Sequence, residues 1–195
     1  MTHQILEKLF GGAARVKIMK LFLFNPEIIF DKKGILQRSK VTPVHFNKEI
    51  HLLSDIGMIK KKMFLKEGKK TAGFYLDVNF GFLKHLKNLL INNEPLQHND
   101  IVRRIGKNGK IKLIIISGVF IQNDDARLDL LIVGDDIKDR GLKNTIATME
   151  SEIGKELRYS NLSSEDFKYR FGIGDRLVRD VFDMPHEVII DRIGL

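Results

Sequence analysis

The stretch Ser39–Ile56, SKVTPVHFNKEIHLLSDI, decides how this chain is read. The Thr42 hydroxyl is placed to accept from a backbone N–H in the next turn, which makes it a good helix N-cap. Pro43 then falls on the first helical residue, where a missing N–H costs nothing. Phe46, Ile50 and Leu53 recur at helical spacing, with Ile56 one turn further, and make an apolar stripe. The other face carries His45, Asn47, Lys48 and His51, side chains that reach phosphates and base edges.

Upstream, Ile5–Phe10 is a short apolar lead into Gly11-Gly12. Ala13–Phe24 reads as a helix with Val16, Met19, Leu21 and Leu23 on its apolar side, stopped by Asn25-Pro26. Ile28–Phe30 is extended. Asp31 caps a second helix running to Leu36–Arg38, although Gly34 weakens it. Lys40-Val41 is the turn into the helix that Thr42 opens. Downstream, Gly57 ends that helix in the left-handed conformation. Ile59–Leu65 and Thr71–Val78 are the strands of a hairpin, joined by the polar turn Lys66–Lys70. Phe80–Leu90 is amphipathic, with Phe82 or Leu83, Leu86, Leu89 and Leu90 on one side. It either joins domains or pairs with its own copy.

This order of helix, helix, helix, strand, turn, strand, over about residues 10–80, resembles the winged helix-turn-helix domains of bacterial and archaeal transcriptional regulators. Leu53–Ile59 is similar to that family's exit from the recognition helix into the wing. The resemblance implies double-stranded DNA as partner. Thr42, Val44, His45, Asn47, Lys48 and His51 would then serve the recognition helix, with Asn47 reading adenine and Lys48 guanine or phosphate. Lys60, Lys61 and Lys62, with Lys66, Lys69 and Lys70 at the wing, would position the duplex and set the salt dependence.

Asn92–Asp100 is polar, contains Pro95 and reads as a seam. Beyond it Lys112–Ser117 and Leu128–Val133 are apolar strands of the kind covered on both faces. Leu142–Leu157 is a helix, Arg158-Tyr159 starts a more polar strand, and Ser164 caps another helix. Arg176–Phe182 is helical and Val188–Ile190 is a last short strand. Over about residues 110–193 this half resembles the minimal nucleotidyltransferase fold. The match rests on Ser117-Gly118-Val119-Phe120 at one strand end and Arg127-Leu128-Asp129-Leu130-Leu131-Ile132-Val133-Gly134 in the next. Nucleotidyl transfer needs paired carboxylates for Mg²⁺. Asp129 fills the second carboxylate position, but Arg127 stands at the first. Val119 replaces the family's serine beside Gly118, and Arg158 stands where a third carboxylate would be sought. The resemblance therefore implies no catalytic residue, no metal and no cofactor. Asp129 is expected to cap a nearby turn or pair with Arg127 or Arg158. Asp124 and Asp125 in the loop are the remaining carboxylates at hand.

Charge separates the halves. Residues 1–96 hold 17 Lys and Arg against 8 Asp and Glu, whereas residues 97–195 hold 16 against 17. The basic surplus of the first half favours a polyanionic partner. The absence of cysteine excludes disulfides and thiolate metal sites. The six histidines are scattered, and His45 and His51 do not share a face well enough for zinc. The N-terminus has no signal-peptide pattern and no apolar run spans a bilayer, so a cytoplasmic protein away from the membrane is expected.

The expected fold is α+β: a winged helix with its trailing helix over 1–91, a linker over 92–109, and a small α/β nucleotidyltransferase-like domain over 110–195. The expected function is a DNA-binding transcriptional regulator, a homodimer on a pseudo-palindrome. Its second half would be catalytically silent, serving dimerisation or the sensing of a small-molecule or protein ligand. The alternatives are an active nucleotidyltransferase of toxin–antitoxin type and a protein-interaction module.

Overall fold

The computed structural model describes residues 2–91, 96–123 and 125–194 of an α+β chain. The residues gather into two units, 1–93 with 147–155 and 94–146 with 156–195. Residues 92–95, inside the seam read from the sequence, lie outside the described residues.

The first unit is built on a helix that is apolar nearly all round and is therefore buried. In α2 (Ala13–Phe24), Val16, Ile18, Met19, Leu21, Phe22 and Leu23 are all in the core. The lead before it is itself helical, α1 (Thr2–Leu9), with Leu6 buried. After β1 (Phe30–Asp31), the Asp31 carboxylate accepts from the Gly34 N–H at 3.0 Å and opens α3 (Lys32–Ser39) in spite of that glycine. Lys40 ends α3 in the left-handed region, and Thr42 opens α4 (Pro43–Asp55) as its N-cap. Phe46, Ile50 and Leu53 are buried, but Ile56, expected with them, is 52 % exposed. The helix has ended at Asp55, and Gly57 (φ 80°) and Met58 donate back to the Ser54 and Leu53 carbonyls, which takes Ile56 off the stripe.

The hairpin is β2 (Ile59–Lys66) against β3 (Lys69–Leu76), paired from Ile59↔Leu76 to Lys66↔Lys69. Its loop is only Glu67-Gly68, both at positive φ (50° and 77°), the two-residue turn whose twist matches that of the strands. β1 pairs with β3 on the other side, giving the order β1-β3-β2. Phe22 meets Phe30, and Phe46 meets Phe74, edge to face at 5.6 and 5.9 Å. α5 (Leu83–Leu90) starts three residues later than its periodicity suggests, because Phe80–Phe82 is taken up in turns. Residues 147–155 complete this unit: the Asn25 side chain donates to the Gly154 carbonyl at 2.9 Å.

The second unit holds α6 (His98–Ile105), β4 (Lys110–Ile116), β5 (Leu130–Asp135), residues to 146 of α7 (Asp139–Ile153), β6 (Tyr159–Leu162), α8 (Ser164–Gly172), α9 (Arg176–Asp183) and β7 (Glu187–Asp191). The sheet order is β6-β5-β4-β7, with only β5 and β6 parallel. Leu113, Leu131 and Val133 pack with Phe167, Val178 and Val181. Ser163, not Ser164, caps α8, accepting from the Asp166 N–H at 3.0 Å. Among the described residues no helix is long and apolar enough to cross a membrane.

Candidate nucleic-acid interface

α4 turns Val44, His45, Asn47, Lys48 and His51 to solvent, Val44 at 77 % exposure. Thr42 Oγ1 lies 2.8 Å from His45 Nδ1, and His51 Nδ1 lies 2.6 Å from Asp55 Oδ2, so each imidazole is steadied within its own helix. The Lys32 ammonium stands 5.3 Å above the Phe46 ring and donates to Asn47 Oδ1 at 3.3 Å. That takes one of the two acceptor positions on the amide oxygen of Asn47. The buried Glu49 interrupts the inner stripe and takes a 2.6 Å ion pair from Arg15 Nε. Neither partner of α4, Lys32 or Arg15, was legible from spacing along the helix, because both come from other elements.

Strand alternation sorts the wing lysines into two sets. Lys60, Lys62 and Lys66 share one face of β2. Lys60 pairs with Asp77 at 2.6 Å, Lys62 stands 4.9 Å over the Tyr75 ring, and Lys66 binds Asp31, the cap of α3, at 2.9 Å. The Lys60 ammonium is raised above its usual value by the hydrogen bond to Asp77, and the Asp77 carboxyl is lowered by the same bond. The Lys66 hydrogen bond likewise holds Asp31 below the usual carboxylate range. Lys66, expected as a wing-tip cation, is thus spent on fastening the hairpin to α3. Lys61 sits on the opposite face, opposite Phe74, and Lys70 lies there opposite Leu65. Among the described residues, the ammonium groups of Lys48, Lys61, Lys69 and Lys70 have no ion-pair partner, and all four are exposed.

In the second unit Gly118, Val119, Asp129 and Arg158 converge while Arg127 does not. Asp129 is fully buried. Its Oδ1 accepts from the Val119 N–H at 2.9 Å and from Arg158 Nη2 at 3.1 Å. Its Oδ2 accepts from the Arg158 backbone N–H at 2.8 Å and from Nε at 3.1 Å. Gly118 sits at φ +56°, and a Cβ there would fall on the Asp129 carboxylate. Of the partners open to Asp129 from the sequence, Arg158 and the turn at Val119 are the ones it takes; Arg127 pairs with Asp180. Asp124 lies outside the described residues, and Asp125 is exposed. Among the described residues no three His, Asp or Glu side chains gather as metal ligands.

Comparison with protein-family models, with curated proteins and with solved structures finds no match to this chain.

Proposed function

We propose that the chain is a DNA-binding transcriptional regulator of winged helix-turn-helix type, with a catalytically silent nucleotidyltransferase-like second half. The observation that carries this reading is the division of α4. Phe46, Ile50 and Leu53 lock one side into the core, and Val44, Asn47, Lys48 and His51 leave the other free to enter a major groove. Lys61, Lys69 and Lys70 supply uncommitted cations on the adjoining hairpin for phosphate contacts. The Lys32 bond takes one of the two acceptor positions of the Asn47 oxygen, which leaves the other, with both N–H donors, for the bidentate reading of adenine. Two copies on a pseudo-palindrome would supply the affinity that one small domain lacks. The exposed Phe82 at the start of α5 is a candidate contact between them.

The silence of the second half rests on Asp129. Both its oxygens are filled by four donors, two of them the Nε and Nη2 groups of the Arg158 guanidinium. Such a unit serves dimerisation or the binding of a ligand.

The test is selection from a random-sequence duplex pool at about 50 and about 200 mM salt, with Lys48→Ala/Lys69→Ala/Lys70→Ala alongside. Enrichment of one sequence, weakened by salt and by the variant, is the expected result. No duplex binding even at the lower salt overturns the proposal.

A further inference from the structure

The face of the hairpin that carries Lys61 also carries two large apolar side chains in solvent. Met63 is 60 % and Leu65 is 71 % exposed. Their cross-strand partners are Ala72 and Lys70, and the same face continues through Phe74 to the Phe46 ring of α4. The apolar side chains are therefore not on the outer face of the sheet, where Lys60, Lys62 and Lys66 are tied down. They extend the α4 side of the sheet outward beyond the core.

Three features argue what this projection is for. The hairpin is stiff: eight cross-strand pairs run without a bulge to a two-residue turn, and Lys66 anchors its far end to the cap of α3. Among the described residues nothing in the unit covers Met63 and Leu65, although burying either would be favourable. The apolar pair is bracketed on its own face by cations, Lys61 below it and Lys70 at the tip, against the single carboxylate of Glu67 in the turn. A minor groove has the complementary pattern: two anionic phosphate walls about 6 Å apart, over a floor of sugars and base edges that apolar side chains can pry open.

We infer that Met63 and Leu65 form a wedge that enters the minor groove beside the α4 site, partly unstacks a base step and bends the duplex, with Lys61 and Lys70 on the flanking phosphates. The inference rests on the DNA-binding reading above and adds to it a sequence preference at positions α4 never touches. Pyrimidine–purine steps open most readily, so the wedge favours operators with such a step at the wing.

The test uses the full chain and its selected duplex, end-labelled for energy transfer and carrying 2-aminopurine at the step under the wing. Wild type is expected to bend the duplex by about 20–90° and to raise the 2-aminopurine emission. Met63→Ser/Leu65→Ser, at exposed positions, is expected to bind no more than about tenfold more weakly and to leave the duplex straight and stacked. If it loses binding altogether, Met63→Leu/Leu65→Met must restore both binding and bend, and failure to do so overturns the wedge. A wild-type complex with a straight, stacked duplex, or a serine variant that bends DNA as wild type does, overturns the wedge and leaves the DNA-binding reading standing. Absence of any duplex binding by wild type overturns both.

Discussion

Arg158 holds Asp129 at three points, through its backbone N–H at 2.8 Å and through Nε and Nη2 at 3.1 Å each. The carboxylate is fully buried, whereas the guanidinium side chain is 44 % exposed. Taking away only the guanidinium leaves a buried charge with two backbone donors. Arg158→Ala is therefore expected to lower the unfolding free energy by about 2–3 kcal/mol. Arg158→Lys, which lacks the planar fork, should recover only part of it. Urea unfolding of the three proteins checks both.

Gly118 closes the same arrangement from the other side. At φ +56° it occupies backbone space that L-residues rarely take, and any Cβ would displace the Asp129 carboxylate from the Val119 N–H. Gly118→Ala is expected to cost more than about 3 kcal/mol, above the effect of an ordinary surface substitution. A calorimetric melt with its midpoint shifted down from wild type is the expected record.

Lys20 lies in the core of the first unit at 3 % exposure, and burial lowers its ammonium to about 8 against the partly compensating charges of Glu152 and Glu7. Below pH 8 the group is protonated in both states, and the folded protein bears the desolvation. Between about 8 and its ordinary value of 10.5 the unfolded chain binds the extra proton, so stability rises with pH across that interval. The shift corresponds to about 3 kcal/mol in order of magnitude. Lys20→Met should be more stable than wild type at neutral pH and should lose most of the rise between pH 8 and 10.5, as thermal melts at stepped pH would record.

If the wing binds phosphates, its lysines should not be equivalent. Lys61→Ala and Lys70→Ala should each reduce the slope of log affinity against log salt by about 0.9. Lys66→Ala should leave the slope unchanged and loosen the α3 cap that Asp31 provides, a loss of about 1 kcal/mol or less in folding stability. Salt titrations of the single variants on one duplex separate the two classes.

Much of the local structure was legible because it is written in adjacent residues. Thr42-Pro43 fixes a helix start, Phe46, Ile50 and Leu53 fix its inner face, and Gly57 fixes its end. What was not legible depends on partners far along the chain. Lys66 looks like a tip cation until Asp31, 35 residues earlier, is brought beside it. Glu49 looks like a surface residue until Arg15 reaches it from α2. α1 was read as a lead because its eight residues end at a glycine pair before the pattern can repeat. The placement of residues 147–155 with the first unit carries no local signal at all. At the candidate site the residue types were readable, but the division of the six wing lysines into committed and uncommitted sets follows from where Asp31, Asp77 and Tyr75 stand, since Lys69 shares the face of Lys60, Lys62 and Lys66 and still has no ion-pair partner among the described residues.

The alternation of side chains along β2 has an evolutionary consequence. The Glu67-Gly68 turn fixes the pairing of β2 with β3, so one codon inserted near Ile59 would be taken up as a bulge at the base and leave the outer pairs in place. Neighbouring side chains in β2 point to opposite faces, so the codons for Met63 and Leu65 can change without disturbing Lys62 or the Lys66 anchor to Asp31. A lineage carrying this hairpin can therefore remodel one surface by substitution while the other is kept.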